Sequence, residues 1–108
     1  MANVIYNLFK KYNASALIDL ELGSFKAMLV TSVYVPNVDT HSHRDDITNE
    51  VVGAGYTAGG KVLVNPTVTQ DDANDRAVWD ADDLVWAAST ITARGAVIYQ
   101  DVGTAATD

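Results

Sequence analysis

At 108 residues, with 48% apolar and 19% charged side chains, the chain has the length and balance of one globular domain, too short for two cores and too apolar for a disordered segment. Seven Lys and Arg against fourteen Asp and Glu give a formal charge of -7, a field that repels phosphate backbones and anionic lipid, so neither nucleic acid nor a membrane surface is an expected partner. Absence of cysteine excludes disulfides and thiolate metal sites, which leaves stability to packing or to association with other chains.

The N-terminus lacks a basic start followed by a long apolar run, and no stretch approaches the roughly 20 apolar residues of a membrane span; a soluble product of the cytoplasm is expected. Ile5, Leu8, Phe9 and Tyr12 recur at helical spacing with Lys10 and Lys11 turned outward, which predicts a short amphipathic helix over 4–13 with Asn3 as its cap. From Leu17 the period changes to two, with Ile18, Leu20 and Leu22 alternating with Asp19 and Glu21 up to a Gly23-Ser24 turn. Phe25 to Val35 is apolar on both faces and reads as a central strand, ended by Pro36-Asn37.

Val38 to Val51 is a polar connection in which Asp39 or Thr40 is placed to cap a short helical turn, and Gly53 to Gly60 is a permissive loop around Tyr56. Lys61 to Thr69 puts Val62, Val64, Pro66 and Val68 on one face, and the proline marks an edge or a bulge. Gln70 to Asp75 is a solvated turn before a strand over Arg76 to Asp80 that contains Trp79; Asp82-Asp83 turns the chain again. Leu84 to Tyr99 alternates as two strands joined near Ser89, or as one long strand bent at Gly95. About six short strands and one N-terminal helix point to a mainly β domain, an antiparallel sandwich or a jelly-roll or barrel-like fold, with strands and loops over 17–102.

Chemistry-bearing clusters are few. In an extended conformation Asp39, His41, His43 and Asp45 would project from one face, a set suited to zinc or another divalent ion. The flanking Thr40, Ser42, Arg44 and Asp46 suit a capped polar turn instead, which would scatter the four. On that reading there is no metal, and His41 fixes the loop by hydrogen bonding. Asp71, Asp72, Asp75, Asp80, Asp82 and Asp83 lack the glycine and terminal glutamate of an EF-hand loop and read as solvating turn residues. No apolar pocket or spacing selects a glycosidase-like carboxylate pair from them.

Gly53, Gly55, Gly59 and Gly60 lack the Lys-Ser/Thr ending of a phosphate loop. Trp79 and Trp86 sit in alternating apolar patterns and read as core. Arg94, within a strand, needs a carboxylate if buried, from Asp80, Asp83 or a neighbouring chain. Neither enzymatic activity nor a cofactor is expected.

Several stretches, taken in order, carry a resemblance. They are Met1-Ala-Asn-Val-Ile-Tyr-Asn, Lys26-Ala-Met-Leu-Val-Thr-Ser, Tyr34-Val-Pro-Asn-Val-Asp-Thr-His41, Asp46-Ile-Thr-Asn-Glu-Val, Gly55-Tyr-Thr-Ala-Gly-Gly-Lys61 and Ile91-Thr-Ala-Arg-Gly-Ala-Val-Ile-Tyr99. Together they resemble a family of small structural proteins of tailed bacteriophages and prophages. The resemblance implies a virion component, most simply a cement or decoration protein on the capsid exterior that stabilises the shell. Its implied partners are the major capsid protein and neighbouring copies of itself in a homo-oligomer such as a trimer. A tail, fibre or receptor-binding module is the alternative.

The interface candidates are Tyr34, Val35, Pro36, Tyr56 and Arg94, together with the N-terminal helix. The resemblance also implies further strands after Tyr99, so that Gly103-Thr-Ala-Ala-Thr-Asp reads as a loop and the chain is expected to be a truncated product or the ordered part of a longer chain. A domain stopped there would leave a strand edge unpaired.

Overall fold

The computed structural model describes residues 3–104 and 108. Strand is its main regular structure, in two antiparallel sheets with one short helix, and neither sheet closes into a barrel. The first sheet has the order β2-β1-β5, formed by β1 (Phe25–Val30), β2 (Lys61–Val62) and β5 (Gly95–Gln100). A hairpin of β3 (Thr67–Asp71) and β4 (Arg76–Asp80) makes the second.

β1 is central, as its two apolar faces require. Lys26 pairs with Tyr99, Met28 with Val97 and Val30 with Gly95, so these residues share one face. Met28, Val30, Val97 and Tyr99 on that face bury against Tyr34, with Tyr6 and Ile47 packed around them. Removing a side chain such as Val30 from water contributes about 1.5–3 kcal/mol. On the other face Phe25 meets Trp79 edge-on at 5.1 Å, and Trp79 donates its indole N–H to the Leu20 carbonyl at 2.9 Å. That contact ties the hairpin to the first sheet.

Several boundaries differ from the sequence reading. The helix α1 runs Asn7–Ala14 with Tyr6, not Asn3, at its cap position, because the Asn7 N–H is taken by the Val38 carbonyl at 3.0 Å. Leu17 to Leu22 is no strand: Asp19 accepts the Glu21 and Leu22 N–H groups through its carboxylate and the Gly23 N–H through its carbonyl, which curls the segment into a turn.

The strand read as far as Val35 stops at Val30, where Thr31 turns the chain by accepting the Val33 and Tyr34 N–H groups. The helical turn is a 3-10 turn at Arg44–Asp46, entered from His43 rather than from Asp39 or Thr40. Lys61 to Thr69 splits into β2 and β3 because Asn65 adopts a left-handed φ of 53° just before Pro66. The strand at Arg76–Asp80 stands as read.

The largest correction falls on Leu84 to Tyr99. Only Gly95–Gln100 is strand; Leu84 to Ala93 is a loop held by a single bridge of Ala54 to Thr90. Ala88 takes a left-handed φ of 53° and Ser89 donates to the Trp86 carbonyl at 2.7 Å, which breaks the alternation at its middle. Among the described residues five strands therefore stand where about six were expected. The ending loop Gly103 to Asp108 falls partly on residues 105–107, outside the described residues.

Candidate functional site

Two tyrosine-centred networks flank β1 and contain Tyr34, His41 and Tyr56 of the residues that sequence patterns single out. The first grows from the turn after β1, which sends Tyr34 back into the core at 2% exposure. Its hydroxyl lies 2.8 Å from the Tyr6 hydroxyl and 2.8 Å from His41 Nδ1, and the two rings of Tyr34 and His41 stack at 5.6 Å. The Asn37 N–H, which can only donate, also points at His41 Nδ1 at 3.2 Å. Nδ1 is therefore an acceptor, Tyr34 donates to it, and Tyr6 donates to Tyr34. Burial pushes the Tyr34 phenol well above the ordinary tyrosine range.

This geometry dissolves the alternating set of ligands. Asn37 accepts the Asp39 and Thr40 N–H groups at 3.1 and 3.2 Å, making a side-chain turn. Asp39 accepts from the Asn7 amide at 2.7 Å, His41 faces Tyr34, and His43 and Asp45 sit at and inside the 3-10 turn. Asp46, one of the residues that suited a capped polar turn, closes that turn by accepting the Ser42 and His43 N–H groups at 2.8 and 3.0 Å, and these bonds lower its carboxyl below the usual range. Among the described residues no three His, Asp or Glu groups converge on a metal-sized site.

The second network fills a gap beside β1. β2 covers the start of that strand, and the Asn49 and Val51 backbone covers its end through Thr31 N–H to Asn49 O at 2.9 Å and Val51 N–H to Leu29 O at 3.0 Å. Between them the Leu29 N–H has no strand opposite. It donates instead to the Tyr56 hydroxyl at 2.9 Å, which in turn donates its O–H to Glu50 Oε2 at 2.6 Å.

Glu50 also accepts the Gly59 N–H at 2.7 Å, and Tyr99 donates to the Gly59 carbonyl at 2.6 Å. Burial and the Glu50 contact push the Tyr56 phenol well above its ordinary range. A hydroxyl bonded on both sides and held protonated is a fixed structural donor, not a base or nucleophile. Arg44 extends this network: its guanidinium lies 5.4 Å over the Tyr99 ring, and its Nε is 2.9 Å from an oxygen of Asp108, whose side chain is 1% exposed.

The aromatic residues read as core are only half-buried. Trp79 joins the two sheets, and Trp86 carries Lys61 Nζ at 5.5 Å over its ring while Lys61 also donates to the Val85 carbonyl. Of the interface candidates, Tyr34 is core and its ring is unavailable as an anchor. Val35 is 75% exposed, Pro36 and Tyr56 are half-buried, and Arg94 is exposed. Arg94 makes no ion pair among the described residues, so neither Asp80 nor Asp83 serves it, and exposure removes the need. Glu50 escapes sequence patterning because its bonds to Tyr56 and Gly59 follow no helix or strand period, and Arg44 because its partner Asp108 lies far along the chain.

Beside β5 lies a groove of about 460 Å³ between that strand and the N-terminal segment, lined by Val4, Ile5, Phe9, Trp79, Arg94 and Ile98 among others. Among the described residues no helix is long and apolar enough to cross a membrane. No protein-family model, no curated protein and no solved structure matches the chain.

Proposed function

We propose that the chain is a structural component of a tailed-phage particle, a cement or decoration subunit that binds the outside of the capsid shell and stabilises it. Its partners in this reading are the major capsid protein and neighbouring copies of itself. Its two sheets, bridged by Phe25 and Trp79, act as the layers of a small sandwich.

The observation that carries the proposal is the distribution of apolar residues. Among the described residues thirteen large apolar side chains are exposed, against eight buried apolar residues. Association buries such surface. The tyrosine networks, whose hydroxyls are already committed, support a role in holding shape rather than in turnover. The ordered resemblance to phage structural proteins names the setting, and the acidic charge suits a position away from packaged DNA. On a capsid lattice many weak contacts act together.

A residue-resolution map of the particle tests this. The expected result is the chain on the capsid exterior; finding it inside the head or on the tail overturns the decoration role, and the tail position would favour a fibre or receptor-binding module.

A further inference from the structure

We propose that the free edge of β5 is a strand-acceptor site, one that takes up an extended peptide segment with apolar residues at alternate positions and a carboxylate at the end meeting Arg94. The Asp101 backbone N–H donates to the Ser24 carbonyl at 2.8 Å, while on the far side of β1 the Leu63 N–H donates to the Phe25 carbonyl at 2.8 Å. With Phe25 opposite Gln100, this fixes which β5 residues face β1 in the ladder: Gly95, Val97 and Tyr99 point their N–H and C=O groups inward. Ala96, Ile98 and Gln100 point theirs outward, and no backbone or side-chain partner among the described residues takes them.

Other strand edges of the molecule are protected. β2 is two residues long and runs into Asn65-Pro66, and the hairpin edges carry Asp71, Arg76 and Asp80. β5, Gly-Ala-Val-Ile-Tyr-Gln, has no charge and no proline. Its open edge borders the groove of about 460 Å³, a volume within the ordinary range of ligand pockets. The apolar lining, Val4, Ile5, Phe9 and the half-exposed Ile98, suits alternate apolar side chains on an added strand. Arg94 at one end is an exposed cation without an ion pair among the described residues, in a chain of net charge -7, so it favours a carboxylate there. This goes beyond the virion reading and stands without it.

The test adds a synthetic acetylated peptide of alternating valine and threonine with one terminal aspartate to the whole chain and follows amide exchange by NMR. Expected are slowing of the Ala96, Ile98 and Gln100 amides by about tenfold or more at saturation, and little change at Val97 and Tyr99. Arg94→Ala weakens the aspartate peptide by roughly two- to fivefold and leaves a neutral counterpart unchanged. A peptide N-methylated at alternate residues fails to bind.

Equal binding of the methylated peptide, or no slowing at the three amides, overturns the proposal. So does protection present without peptide: if it rises with protein concentration the occupant is a second copy, and if it is independent of concentration the edge is already covered. A particle map that moved the chain to the tail would leave this site untouched.

Discussion

Tyr56 stands where β1 would otherwise carry an orphan donor, and its single hydroxyl serves both the Leu29 N–H and the Glu50 carboxylate. Tyr56→Phe keeps the ring and strands both partners, so it is expected to cost about 1–3 kcal/mol in urea unfolding. Val52→Ala, at a residue 94% exposed, should stay within about 0.5 kcal/mol. A Tyr56→Phe midpoint equal to the parent's would show the network to be ornamental. Tyr34 separates ring from hydroxyl in the same way: Tyr34→Ala opens a cavity under β1 and should cost roughly 3–5 kcal/mol, while Tyr34→Phe loses only its bonds to Tyr6 and His41 and should cost about 1–3 kcal/mol.

Between elements the turns are governed by carboxylates and glycine. Asp46, Asp71 and Asp101 all have carboxyl groups lowered from the usual range, by the Ser42 and His43 N–H groups, by Asn74 and Arg76, and by Lys26. A folded-state value below the unfolded one contributes stability that is present above the unfolded value and lost as pH falls through the folded one. The melting temperature should therefore fall on acidification below about pH 4, and Asp46→Asn should lower it at neutral pH while shrinking the acid-induced drop. An unchanged acid-induced drop in that variant would remove Asp46 from the account.

Gly60 leads into β2 with φ at +82°, and an added Cβ would lie 1.9 Å from the Ala27 carbonyl oxygen. Gly60→Ala is expected to cost roughly 2–4 kcal/mol by thermal unfolding. Sequence patterning recovers elements whose neighbours agree with their period. The β1 core, with apolar residues on both faces, and Arg76–Asp80 between polar turns were legible in this way. The alternation in Leu17 to Leu22 and Leu84 to Ala93 was overridden by local bonds from Asp19 and Ser89 that no periodicity registers. The ligand-like spacing from Asp39 to Asp45 failed for the same reason, since Asn37 and Asp46 supply turn bonds that bend the segment. Tyr56, recognisable only as a loop aromatic, depends on a gap beside β1 that exists solely in three dimensions.

At the scale of the whole molecule the decisive fact is an unclosed one. A small core beneath Tyr34 and Tyr99 holds one face of a three-stranded sheet, while among the described residues β5 keeps an open edge and apolar side chains from Val4 to Val102 remain in water. In the proposed role such a surface meets neighbouring subunits, and repeated weak contact on a lattice is the setting in which it becomes strong. The proposed virion role is tested most directly by quantitative mass spectrometry of purified tailed-phage particles assembled in cells that express the chain. A copy number on the scale of the capsid lattice is the predicted result; a handful of copies, or none in the particle, would contradict it.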